Sequence, residues 1–121
     1  MDIAQLFLRC SDLIDYEWKQ VTFVFEFGEG CTSNSGFLYD GEEITPAAAS
    51  IEDEQLLLDN TLEQLREDIY QQCGEKFNQL LFQMENETKR FKIDFEFDDP
   101  KRWAISPSNM FEMREKLRPK F

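Results

Sequence analysis

The residues best placed to do chemistry are four carboxylates in one stretch, Asp94, Glu96, Asp98 and Asp99 of FKIDFEFDDP. Carboxylates this close together can divide acid and base work or hold a hard cation. No histidine occurs in the 121 residues. That removes the commonest general base, the commonest transition-metal ligand and every Ser-His or Cys-His nucleophile arrangement. Asp98 and Asp99 precede Pro100 at a strand end, where turn chemistry selects such residues, and charges alternating along a strand also make an ordinary solvated face. The reading therefore favours neither a catalytic centre nor a bound metal or cofactor. Gly28-Glu29-Gly30 is a lone GxG with no third glycine and no helix opening after it, so it reads as a turn and not as a phosphate cradle.

The elements that would position these carboxylates follow from periodicity. Ile3, Leu6, Phe7, Cys10, Leu13 and Ile14 recur at spacings of three and four and predict one amphipathic helix over residues 2 to 16. From Val21 the period drops to two. Phe23, Phe25 and Phe27 alternate with Thr22, Val24 and Glu26, as in a strand buried on one face, and Gly28 and Gly30 stop it. Gly36-Phe37-Leu38-Tyr39 reads as its hairpin partner, closed by Asp40-Gly41; the following EEITPAAAS suits a loop, with a short edge strand over Glu42 to Thr45 as the alternative. Leu58, Leu62, Leu65, Ile69 and Cys73 line one face of a helix from Ser50 to Cys73 that Gly74 ends. Leu80, Phe82 and Met84, then Phe91, Ile93, Phe95 and Phe97, form a second hairpin across ENETKR. Ser106 and Pro107 are read as the cap and first residue of a last helix. The fold class expected is α+β, an antiparallel sheet of four to five strands with helices packed mainly on one face, in one domain over residues 1 to 121. The opposite sheet face would then carry Glu26, Lys92, Asp94 and Glu96 to solvent.

Composition limits the partners. Hydrophobic residues make up 41% of the chain and include 12 Phe, far too apolar for a disordered acidic tail even at a net charge of −12. Residues 1 to 88 hold 19 Asp or Glu against 4 Lys or Arg, while residues 89 to 121 hold 6 against 9. Such a balance argues against direct contact with nucleic acid or an anionic membrane, which needs clustered cations, and points to a basic partner or to a merely solvated surface. No apolar run is long enough to span a bilayer, and MDIAQLFLRCSD lacks a basic n-region, so the expected location is cytoplasmic. Cys10, Cys31 and Cys73 match no metal or redox spacing and are expected to be buried, inert thiols.

Tyr39 and Trp103 stand beside acidic loops. An aromatic ringed by carboxylates can grip an Arg- or Lys-rich surface, and either residue equally suits a core. The helix, the Phe-rich strand, the short second strand, the long acidic helix and the closing hairpin together resemble the YezG-like immunity proteins of bacterial toxin systems. That resemblance covers about residues 2 to 105 and rests on one motif, F-x-I-D-F-x-Y/F-D/E-D, in which Phe91, Ile93, Asp94, Phe95, Phe97, Asp98 and Asp99 stand. It implies a small cytosolic binding protein, not an enzyme, that inactivates a cognate toxin domain, often a nuclease, delivered by neighbouring cells. The expected contacts are Glu26, Glu42, Glu43, Asp94, Glu96, Asp98 and Asp99, with Tyr39 and Trp103 as anchors. Two rivals stay open: an adaptor or secretion-chaperone-like module for a basic protein segment, and a metal-dependent enzyme built on Asp94 to Asp99.

Overall fold

The strand with large or β-branched side chains on both of its faces sits in the middle of the sheet. The structure, a computed structural model, describes residues 3–28 and 31–120. Within them QVTFVFEFG forms β1 (Gln20–Gly28), flanked by β2 (Cys31–Asp40) and β4 (Gln79–Glu85). β3 (Glu43–Ala47) and β5 (Phe91–Glu96) close the two edges, giving the antiparallel order β3-β2-β1-β4-β5. Helices α1 (Ile3–Phe7), α2 (Ser11–Asp15), α3 (Leu57–Cys73) and α4 (Met110–Lys116) complete the α+β fold among the described residues. The chain leaves β3 at one edge, and after α3 it returns as β4 on the far side of β1.

The expected phenylalanine face is the main core. Val21, Phe23, Phe25 and Phe27 join Leu80, Phe82 and Met84 beneath Leu6, Phe7, Leu13, Leu58 and Leu62, so α1, α2 and α3 all pack on this side. Phe7 stacks on Phe82 with ring centroids 3.9 Å apart, an arrangement that contributes about 0.5–1.5 kcal/mol beyond area burial. The other face departs from expectation. Thr22 and Val24 are 0% and 1% exposed, because residues after β5 fold back and build a second, smaller core. Val24, Phe37, Tyr39 and Leu81 meet Trp103, Met113 and Leu117 there. β1 is thus buried on both faces, where alternation alone predicted one.

Tertiary hydrogen bonds explain where helices start later or break sooner than periodicity suggests. The expected helix over residues 2 to 16 divides at Cys10, whose backbone is extended. The next amide, Ser11 N–H, donates to Ser50 O at 2.8 Å instead of continuing the first helix. α3 begins at Leu57 rather than Ser50, after turns closed by Glu54 N–H on Ile51 O and Leu57 N–H on Glu54 O; ahead of them Ala49 N–H donates to Asn34 Oδ1 at 2.8 Å, and Asn34 Nδ2 donates to Ala49 O at 3.1 Å. That leaves residues 49–50 held against β2 and α2. Gly74 ends α3 as expected, in the left-handed region at φ 80°. α4 starts at Met110, four residues after Ser106, because Asn109 Oδ1 accepts Ser106 N–H at 2.7 Å and closes a turn in front of the helix.

Cys10 is buried, and burial pushes its thiol up to about 11, as expected of an inert cysteine. Cys73 is exposed on the last residue of α3, against the expectation. Asp2, counted in the first expected helix, and Gly30, read in the turn after β1, lie outside the described residues, as does the side chain of Cys31.

One glycine is required by close approach. A Cβ on Gly36, which pairs with Phe23, would lie 2.0 Å from Thr22 O and 3.0 Å from Phe23 Cα. Backbone atoms cannot rotate away, so β1 and β2 would have to separate. Gly36→Ala is expected to lose about 1–3 kcal/mol or more of stability, read as a lower urea midpoint; an unchanged midpoint would show that the two strands part freely.

Candidate binding surfaces

The carboxylates after β5 build a turn before they are available for anything else. Glu96 is the last residue of β5 and points to the second face, opposite Gln79. Its Oε2 accepts the N–H groups of Asp98 at 3.0 Å and Asp99 at 3.2 Å, while Oε1 accepts Arg102 Nη1 at 2.8 Å. Asp99 Oδ1 in turn accepts Lys101 N–H at 2.9 Å. The Arg102 guanidinium beside Glu96, helped by the two backbone donors, holds its carboxyl down at about 2. Glu96 is 9% exposed, so the expectation that it faces solvent does not hold. Glu26 is half-buried and accepts Gln79 Nε2 at 3.2 Å, and Gln79 Oε1 accepts Trp103 N–H at 3.0 Å. Asp94, Asp98 and Asp99 remain exposed at this corner.

The two aromatic candidates are core residues. Tyr39 is 1% and Trp103 6% exposed, so neither presents a ring to a partner as an anchor must. The Tyr39 hydroxyl donates to Arg114 O at 2.7 Å, and burial pushes its phenol well above the usual range. Nearby, Thr22 Oγ1 and Gln83 Nε2 donate to Leu117 O at 2.7 and 2.9 Å. The end of a helix leaves carbonyls without partners, and here buried side chains of the sheet supply them. Arg102 lies over the Trp103 ring at 5.0 Å, closing that ring off from above.

Glu42 and Glu43 are exposed, but they belong to the β2–β3 turn at the other edge. Four strand spacings of about 4.8 Å put β3 and β5 roughly 19 Å apart. The two groups also lie at opposite ends of the strands, since Glu43 pairs with Asp40 beside the start of β1 and Glu96 with Gln79 beside its end. The sequence candidates thus form two separate corners, not one patch.

The most acidic surface was not among them. Between Ile51 and Gln72 stand seven carboxylates, Glu52, Asp53, Glu54, Asp59, Glu63, Glu67 and Asp68, against the single cation Arg66. All but Asp59 are exposed. Arg66 is turned inward, donating to Phe77 O at 2.6 Å and lying over Phe27. Burial, and then neighbouring Glu63, raise the Asp59 carboxyl. Part of the signal was present in the sequence: Glu63 and Glu67 fall opposite the Leu58, Leu62, Leu65 and Ile69 stripe, while Glu52, Asp53 and Glu54 precede the helix.

Among the described residues, no group of three or more His, Cys, Asp or Glu side chains is placed to hold a metal ion. No described helix is long and apolar enough to cross a membrane. No family model matches the chain, and no curated protein matches it.

Glu96 has a carboxyl value below the 4.5 typical of an unfolded chain, so its ionised form favours the fold. Its contribution is complete above that pH and is lost as pH falls through about 2. Melting temperature between those limits should therefore fall less steeply in Glu96→Gln than in the parent; parallel curves would remove Glu96 as a source of acid sensitivity. Tyr39→Phe leaves Arg114 O without its donor and should cost about 1–3 kcal/mol in urea unfolding. Thr22→Val should cost less, because Gln83 still serves Leu117 O.

Proposed function

We propose that this protein is an immunity protein, one that binds and neutralises a cognate toxin domain, of nuclease type, through an acidic surface. The observation that carries this reading is the exposed face of α3 and its lead-in, where six carboxylates are exposed, Arg66 is turned inward, and only Glu54 and Glu67 have a cation beside them, Arg9 at 2.7 Å and Lys76 at 3.9 Å. The resemblance of the β5 strand to the immunity-protein motif supports the same class of partner. A nuclease has to present a cationic cleft to phosphates, so a face of this charge would steer to it and slow its escape only where contacts form.

Within the proposal, the contact candidates are Glu52, Glu63 and Glu67 on the α3 side, then Asp94, Asp98 and Asp99 at the β5 corner and Glu42 and Glu43 at the far edge. Tyr39 and Trp103 leave the list as buried residues, and Glu96 leaves it as the pin of its own turn. Because the three groups lie apart, they can be tested one at a time.

The experiment is titration of this chain into the polypeptide encoded immediately upstream, at low and high salt, together with a growth assay of that polypeptide's toxicity. The expected result is 1:1 binding, weakened by salt, that abolishes toxicity. Glu52→Lys/Glu63→Lys/Glu67→Lys should raise the dissociation constant by at least about tenfold while the melting temperature holds. Equal loss in Asp98→Lys/Asp99→Lys alone would move the interface to β5. Absence of binding by the folded chain would sink the immunity reading, and capture of unfolded basic segments instead would favour an adaptor.

A further inference from the structure

Positive charge is scarce in this chain, and much of it gathers in one place. A cleft of about 430 Å³ opens between β5 and the segment from Lys116 to Lys120. Leu81, Trp103 and Leu117, all buried members of the second core, reach its floor. Lys92, Lys116 and Lys120 stand around it, each exposed and with no ion pair among the described residues. Arg102 and Arg118 also line it, although they are engaged by Glu96 at 2.8 Å and by Glu115 at 3.4 Å. Asp94 is the single carboxylate in the lining.

A cavity of this size lies in the range of small-molecule sites, and an apolar floor under a few polar groups is their usual construction. Five cations against one carboxylate, in a protein of net charge −12, make the cleft a local reversal of sign. The pairs Arg102–Glu96 and Arg118–Glu115 are satisfied within the fold, whereas the three lysines have no ion pair among the described residues, share the lining with one carboxylate, Asp94, and carry like charges that repel. An anion between them would relieve that repulsion.

We propose that this cleft binds a small phosphomonoester, with its dianionic phosphate among Lys92, Lys116 and Lys120 and its apolar body at the floor, where Leu81 and Leu117 reach the cleft. A dianion matches the lysines better than a single carboxylate does, and the floor gives an organic group an advantage over inorganic phosphate. Asp94 at the wall disfavours ligands carrying further negative charge on the body. Occupancy would also brace the segment after α4 against the sheet, since the ligand touches both. The site lies apart from the α3 surface, so its failure would leave the toxin-binding proposal standing.

The test is calorimetric titration of the full chain with phenyl phosphate and, separately, with inorganic phosphate. One saturable site is expected for phenyl phosphate, with weaker binding of inorganic phosphate and a melting temperature that rises with phenyl phosphate concentration. Lys116→Gln/Lys120→Gln should bind about tenfold more weakly. Because both lysines are exposed and unpaired, the melting temperature without ligand should not change. Lys76→Gln, an equal charge change per residue at the end of α3, should bind like the parent. No saturable site, equal affinity for inorganic phosphate, or equal weakening by Lys76→Gln would overturn the proposal, the last because it would reveal only a diffuse field.

Discussion

The fold depends on buried side chains of the sheet serving carbonyls of the last helix. Thr22, Tyr39 and Gln83 project from three neighbouring strands and donate to Arg114 O and Leu117 O at 2.7 to 2.9 Å. Without the returning segment these polar groups would be wet, and Val24, Phe37 and Leu81 would be bare. With it, a sheet that would otherwise have one dry face has two. The requirement is reciprocal, since a helix end buried without donors would be unstable. Hydrogen bonding rather than apolar area alone therefore fixes where α4 ends on the sheet.

Local periodicity made most of the elements legible. The phenylalanine alternations of β1 and β5, the leucine stripe of α3 and the glycine stop at Gly74 all read correctly, because each is set by residues near in sequence. What escaped was set at long range. Nothing near Cys10 announces that Ser11 will bond Ser50, and nothing near Ser50 announces that Asn34 will clamp Ala49. Tyr39 and Trp103 were ambiguous for the same reason, their hydrogen-bond partners lying 75 and 24 positions away. Their hydrogen-bond partners, Arg114 O and Gln79 Oε1, could not be guessed from their neighbours.

Charge sorting was half legible. The sequence shows an acidic first part and a basic remainder, but not how the faces divide them. Carboxylates line the exposed side of α3, over the main core, while five of the nine cations after Thr88 meet at the cleft of the second face. The acidic stretch FKIDFEFDDP lies beside those cations, and its Glu96 holds Arg102 and the turn. Types and spacing identified the acids correctly, but the function of each depended on which face it reached.

The position of α4 in chain order has a consequence for how the molecule is made. Among the described residues it follows every strand, so the cover of the second face comes from chain beyond the sheet. Were the sheet to form before α4 docks, Phe37, Leu81 and the donors of Thr22, Tyr39 and Gln83 would make a half-polar plate open to other chains. Docking of α4 and the residues after it therefore covers apolar surface and satisfies buried donors in a single step.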